Sequence, residues 1–445
     1  MGAKSVTTEN QSEEIVDDVS NQNIDQAKLA ELKAKLAKPK DEMAAKIVEK
    51  KIRSINLGVI GTGQAGSRLA EAFYKVGYDA VVINTATQDL KFIDVPENNK
   101  LHLEFGLGGA AKELEIGKAA AEQHRDAIVQ LVETKLPDSQ INLLCLSLGG
   151  GSGAGSCETL VDILSSTGKP LCVITVLPMA TEDSQTKNNA LTTLSKLAKL
   201  VQSKKINNLI VVDNAKIEAI YSDVGQLDFF KTANQAIVGP IDIFNTLSSM
   251  DSDVKPLDPM EWGKLFTDGE GLSVYGEMTV TDYEDATAMA SAVVNNLNGN
   301  LLAAGFDLKQ SRYVGLMFVA PKRVWDKIPN VSVNYALELV NEQCGAPKGV
   351  FKGIYVVEGP DDAVKIYSMF SGLGLPESRV QQLKVEAKAN LEAVKAKDVQ
   401  RNLNLNLDTG VNETVSEAQK IKEKIAAKHS AFGKLMGGVV DKRKG

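Results

Sequence analysis

A chain of 445 residues, 43% hydrophobic and 24% charged, has ordinary globular composition and the length of two or three domains. Its 50 basic and 57 acidic residues leave a net charge of −7, which argues against an overall basic nucleic-acid binder. Four cysteines without a CxxC pair and three scattered histidines argue against a disulfide scaffold, a zinc ribbon or a multi-His metal site, so no protein metal site is expected; they fit a reducing cytoplasm. No apolar run approaches the ~20 residues of a membrane span and no signal-peptide core opens the chain, so no membrane partner is expected.

Residues 1–25 are polar and acidic, a composition that cannot bury enough apolar surface to order itself. Leu29, Leu32 and Leu36 then recur at helical spacing until Pro39 interrupts, so residues 1–53 read as an extension, partly disordered and partly helical. From Ile55 strands and helices alternate. Strands are expected over 55–60, 80–84, 141–147, 171–177 and 208–212, and helices over 66–76, 115–135, 154–166 and 184–202. This pattern predicts an α/β fold, a parallel sheet covered on both faces, with ligands at the carboxyl ends of its strands. After residue 250 the texture changes: a helix over 284–302 and strands over 313–319 and 353–357 suggest a second, smaller α+β domain. A long helix follows Pro376, then a linker over 400–413 and a charged helix and tail. The expected segments are thus 1–53, 54–227, a central helix over 228–250, 251–370, and a helical C-terminal tail over 371–445.

Two turns carry the chemistry. Gly61, Gly63, Gln64, Ala65, Gly66 and Ser67 lie between the first strand and helix, where glycine permits a tight turn and close approach of backbone N–H groups to an anion. Alone this pattern suits a dinucleotide oxidoreductase equally well, but Asn84-Thr85 stands where such an enzyme has an acid for the ribose. The second turn, Gly149-Gly150-Gly151-Ser152-Gly153-Ala154-Gly155-Ser156, opens a helix directly from a strand and leaves amides bare at the positive end of the helix dipole. A Gly151→Val change is expected to place a side chain in the path of a phosphate. No Walker A lysine motif is present, which disfavours a P-loop NTPase.

With these motifs in order, residues 54–400 resemble the tubulin/FtsZ superfamily of GTPases. The resemblance implies a GTP-binding domain, a central helix and a second domain, with GTP/GDP and Mg2+ as ligands. Residues 149–155 match the family signature GGG[ST]GxG, 61–67 its first phosphate loop, and Asn84-Thr85-Ala86-Thr87-Gln88 its Asn-Thr loop. Gly106-Leu107-Gly108-Gly109-Ala110-Ala111, closed by Gly117, resembles its terminal-phosphate loop; Glu182 its ribose contact; and Asp213-Asn214 the pair before the central helix. Phe230 and Asn234, at i and i+4, match the residues that stack on guanine and read its edge. The resemblance also implies that Asp258 and Glu261, of Asp258-Pro259-Met260-Glu261, enter the site of the next subunit as carboxylates that position or deprotonate the attacking water. Thr186 and Pro256 stand where the family has Arg and Asn.

Within the superfamily, Val211 to Ile217 and Lys365 to Pro376 look most like the TubZ/PhuZ branch of plasmids and phages. That implies head-to-tail cytomotive filaments in the bacterial cytoplasm, with the C-terminal tail meeting a DNA-bound adaptor or a phage capsid. Two other readings stay open: a tubulin-like scaffold with little hydrolysis, and a nicotinamide oxidoreductase.

Overall fold

The computed structural model describes residues 52–404. The expected extension before residue 52, and the linker, charged helix and tail beyond 404, lie outside the described residues. The first half alternates as β1 (Leu57–Thr62), α1 (Gly63–Lys75), β2 (Asp79–Asn84), α2 (Thr87–Lys91), β3 (Lys100–His102), α3 (Leu114–Gln123), α4 (Arg125–Lys135), β4 (Ile141–Ser147), α5 (Ser152–Ser165), β5 (Leu171–Leu177), α6 (Ser184–Gln202), β6 (Asn208–Asp213) and α7 (Asn214–Ile220). The central helix α8 (Gln226–Leu247) and the short α9 (Pro259–Thr267) lead into the second half. There follow β7 (Leu272–Val280), α10 (Ala286–Asn300), β8 (Tyr313–Ala320), α11 (Lys322–Trp325), α12 (Ser332–Gln343), β9 (Gly349–Val356), β10 (Val364–Leu373) and the long α13 (Glu377–Asn404).

All ten strands form one sheet in the order β3-β2-β1-β4-β5-β6-β7-β10-β8-β9. The pairs from β3 to β6 are all parallel. β10 runs antiparallel to both β7 and β8. The junction is narrow: β6 and β7 are in register only at Leu209–Leu272 and Ile210–Ser273. Period-two alternation sends successive side chains to opposite faces and builds two core layers. From β4, Leu144 and Leu146 join Ala120, Ile128, Leu160 and Leu194 on one face. Leu143 and Cys145 join Leu69, Phe73, Ile237 and Phe244 on the other. Both layers continue into the second half, through Val274 and Phe370 on one face and Tyr275 and Met369 on the other.

Two expectations need correction. The single helix over 115–135 is two, because the backbone leaves the helical region at His124, with φ −105° and ψ 20°. The strands β7 and β10, which lie beside each other in the sheet, were absent from the expected elements. β7 is broken in pattern by Gly276, whose bare Cα admits the chain after α10; a Cβ there would stand 2.2 Å from the Asn300 carbonyl oxygen.

The α8 helix fixes the geometry of the site. Its N-terminal half borders the carboxyl edge of the parallel strands. At its other end the Asn245 amide accepts from the Ile55 N–H and donates to the Ile55 carbonyl, each at 2.8 Å, just before β1 begins. Trp262 of α9 stacks on Phe244 at 5.1 Å and donates to Asn245 at 3.2 Å. The Phe266 carbonyl accepts from Asn208 at 2.8 Å, at the start of β6. So α9 sits at the amino edge of the sheet.

Candidate functional site

The turns that follow β1, β2, β4, β5 and β6 surround a cleft of about 390 Å3 at the carboxyl edge. Of the residues singled out from sequence, Gly63, Gln64, Ala65, Asn84, Gly109, Ala110, Ala111, Gly149, Gly150, Gly151, Ser152, Gly153, Glu182, Asn214 and Phe230 line it. Gly61, Gly66, Ser67, Gly108 and Ala154 stand beside it without lining it. For Gly61 and Gly66 packing explains why. A Cβ on Gly66 would lie 2.1 Å from the Cys145 carbonyl oxygen, and one on Gly61 would lie 2.4 Å from the Gly66 carbonyl oxygen. These two glycines bring α1 against β4 and β1. Only Gly63, with φ +69°, turns the chain into the cleft.

The glycine turns hold one another. A Cβ on Gly63 would meet the Gly153 N at 2.8 Å, and one on Gly117 would meet the Gly151 carbonyl oxygen at 2.1 Å. The Thr62 and Ser156 hydroxyls are 3.0 Å apart, and the Thr85 N–H donates to the Ser152 hydroxyl at 3.3 Å. The cradle is therefore set by backbone packing before any ligand arrives. Neither α1 nor α5 has a side-chain cap or an acid in its first turn. Their first N–H groups have no intrahelical acceptor and, with the helix dipole, favour an anion. At the same edge α6 and α7 are capped by Asp183 and Asp213 instead. Gly150 and Gly151, adjacent in sequence, differ in kind. A Cβ on Gly151 would strike Ala110 Cβ at 2.8 Å and Glu113 N at 2.9 Å, whereas one on Gly150 would meet only Ser147 Oγ, at 3.5 Å. Both glycines line the cleft, but room for a side chain exists at Gly150 and not at Gly151, the position expected from sequence to carry one into the path of a phosphate.

Several lining residues escaped the sequence reading, among them Asp89, Lys112, Ser147 and, in a binding role, Thr85 and Thr186. Asn84 organises its loop, donating to Asp89 at 3.0 Å and accepting from the Ala86 N–H at 3.2 Å. Lys112 follows a run of left-handed backbone, Gly106, Gly108, Gly109, Ala111 and Lys112 itself all having positive φ. Its ammonium pairs with Asp183. Partial burial works to raise the Asp183 carboxyl, but the Lys112 ammonium and the Thr186 N–H outweigh it and hold it down to about 2. The signal available in sequence was a lone cation directly after a glycine-rich run. The Thr85 hydroxyl, on a residue that lines the cleft, is buried without a hydrogen-bond partner, a costly arrangement that a polar ligand reaching it would relieve.

At the mouth, Phe229 takes the core position at 9% exposure while Phe230 stands 56% exposed. Phe230, Gln64 and Ala65 also line an adjoining groove of about 620 Å3 between α1 and α8, and Asn234 lies there, outside the first cleft. A bare aromatic face beside an amide suits a flat heterocycle that stacks and hydrogen-bonds at its edge.

Asp258 and Glu261 are elsewhere. Asp258 caps α9, accepting from the Glu261 N–H at 2.8 Å, and Glu261 accepts from the Asp258 N–H at 3.2 Å, a reciprocal capping box. They stand at the amino edge, separated from the cleft by six-residue strands, ~20 Å at ~3.3 Å per residue. Among the described residues no cluster of three or more His, Cys, Asp or Glu side chains could hold a metal ion. Nor is any described helix long and apolar enough to cross a membrane.

An open-edged parallel sheet with an uncapped, glycine-built anion cradle at its carboxyl edge defines a nucleotide-binding α/β protein. The model of the Tubulin/FtsZ family GTPase domain matches residues 56–222, and that of the TubZ-like C-terminal domain matches residues 243–384. The chain belongs to the tubulin/FtsZ superfamily, whose members are filament-forming GTPases. It is 23% identical over 350 residues to the tubulin-like protein CetZ of Pyrococcus abyssi, covering 76% of this chain and 92% of that one. It is 21% identical over 405 residues to the tubulin-like protein TubZ of Bacillus cereus, covering 84% and 92%. A GTPγS-form protofilament of TubZ from Bacillus thuringiensis serovar israelensis shares the fold with a TM-score of 0.70 at 21% identity, covering 79% of this chain and 96% of that one.

Proposed function

We propose that the chain binds GTP and GDP in the carboxyl-edge cleft and hydrolyses GTP only when a second copy stacks head-to-tail upon it. The observation that carries this reading is the placement of cradle and acidic turn at opposite edges of one sheet. One copy cannot bring Asp258 and Glu261 over its own cleft across ~20 Å of packed strand, whereas a copy stacked along the α8 axis can. A head-to-tail contact that does not close produces a filament.

In this reading the amides of Gly150, Gly151, Ser152 and Gly153 and the first turn of α1 hold the phosphates. Lys112 and the 108–111 loop face the terminal phosphate, Glu182 and Asn214 flank the ribose, and Phe230 with Asn234 receives guanine. Asp89, a carboxylate of the cleft, would hold Mg2+ beside the phosphates, and the ion would supply charge neutralisation there. The free oxygens of Asp258 and Glu261 orient or deprotonate water in the neighbouring cleft. In this reading the filament is a cytoplasmic cytomotive polymer that moves DNA through an adaptor or positions a phage capsid.

The test is phosphate release and light scattering against protein concentration, with GTP and with GDP. Release per copy should rise with concentration as scattering appears with GTP; release independent of concentration in a sedimenting monomer refutes the shared site. A second reading, a tubulin-like scaffold with little hydrolysis, is favoured by one observation: both acids already serve as a helix cap. Scattering with GTP but no phosphate release would select it.

A further inference from the structure

The loop between β5 and α6 carries Glu182 along the cleft, yet it has little regular structure of its own. Three alternate carbonyls of that loop each accept from a side chain outside it. Arg379 donates to Pro178 at 3.3 Å, Lys187 to Ala180 at 2.6 Å, and Asn390 to Glu182 at 3.2 Å. Arg379 and Asn390 belong to α13, the C-terminal helix. Lys187, 1% exposed, belongs to α6 and pairs with Glu386 of α13 at 3.2 Å. The Arg379 guanidinium, 4% exposed, also binds Asp213 at 2.6 Å, and Asp213 directly precedes the cleft residue Asn214.

A buried ion cluster is by itself weak evidence for stabilisation, since apolar residues of like volume often do as well. What apolar residues cannot do is satisfy the carbonyls of residues 178, 180 and 182 and so fix their spacing. We propose that α13 is a positioning element for the bound nucleotide: through Arg379 and Asn390 it sets the 178–183 loop, and so couples occupancy of the cleft to docking of the C-terminal helix. This rests on the nucleotide reading above. Arg379 and Asn390 touch the loop and not the ligand, so they act through Glu182 and Asn214. Because coupling of binding free energies is reciprocal, saturating GDP must strengthen α13 docking by the factor that docking strengthens GDP binding.

The experiment uses the full chain, GDP calorimetry, and amide exchange of the nucleotide-free protein. Asn390→Ala, at a half-buried surface position, should speed exchange of the 179–183 amides several-fold. It should weaken GDP binding roughly three- to tenfold, the worth of one net hydrogen bond, and lower the thermal midpoint by no more than about 2–4 °C. Asn390→Gln, which keeps a donor, should recover part of the affinity. Arg379→Gln should have a larger effect of the same kind; if it fails to fold, the Asn390 pair decides alone. Lys388→Ala, on the exposed face of the same helix, should change neither readout. Saturating GDP should slow exchange in the first turns of α13. Wild-type GDP affinity or wild-type loop exchange in Asn390→Ala overturns the coupling. Failure of the unmodified chain to bind GDP refutes the nucleotide reading itself.

Discussion

Substituting the two neighbouring glycines Gly150 and Gly151 should have opposite consequences. Gly151→Ala puts a methyl 2.8 Å from Ala110 Cβ, 2.9 Å from the Ala110 carbonyl oxygen and 2.9 Å from Glu113 N, contacts that include backbone and cannot rotate away. Overpacking of this kind costs about 1–3 kcal/mol. At about 2–4 °C per kcal/mol for a domain of a few hundred residues, the midpoint should fall by several degrees. A Cβ at Gly150 meets only the Ser147 hydroxyl, at 3.5 Å, and Gly150 does not have positive φ, so Gly150→Val should keep the fold. Its methyls instead cover the first amides of the cradle. Each charge-assisted bond to phosphate contributes about 1.5–3 kcal/mol. Losing one or two raises the GTP dissociation constant roughly 10- to 10⁴-fold. The assay is calorimetric titration with GTP beside thermal unfolding of the nucleotide-free protein. A Gly150→Val protein that binds GTP like wild type refutes the assignment of the cradle. A Gly151→Ala protein of unchanged stability refutes the packing argument.

Asp258→Asn keeps a good helix cap and loses the carboxylate, so it should abolish phosphate release while sparing stability and GTP binding. Asp258→Ala should in addition cost about 1 kcal/mol by urea titration. Asn234→Ala should erode the preference for GTP over ATP, because a site built on hydrogen bonds rejects bases that leave its polar groups unpaired; competition binding reads this directly, and equal affinities in the unmodified chain contradict it. The Asp183 carboxyl is held down to about 2 in the fold, against an ordinary value near 3.8. Its pairing with Lys112 therefore contributes above about pH 4 and is lost as pH falls through about 2. Both partners are about half exposed, so the effect is small: Asp183→Asn, which keeps the cap, should slightly lower the urea midpoint near neutrality, flatten its fall between pH 4 and 2, and match the unmodified chain below about pH 2.

How much of this could be read before folding depends on the range of the interaction concerned. The continuous apolar runs of β4 and β5 fixed their own boundaries, since a strand buried on both faces admits little else. The bounds of α6 were legible as well, 184–202 in the sequence and in the fold, where Asp183 caps the helix. The glycine turns at 61–66 and 149–155 marked the edge where a ligand approaches backbone, because few other residues permit it. Assigning each glycine its task required the partner elements. Gly66 faces β4, Gly151 faces the 110–113 loop and Gly150 faces open cleft, a difference set by which segment packs opposite. In the same way the rotation of α8 against the sheet buries Phe229 and leaves Phe230 bare. Periodicity alone did not separate these adjacent rings. Arg379 looked like one more charge on a polar helix; only the crossing of α13 over α6 carries its guanidinium to Asp213, 166 residues away in sequence. Local propensity and backbone demands are written in neighbouring residues. The direction in which a side chain points, and what it meets there, is decided by elements hundreds of residues apart whose approach is specified only by the packed whole.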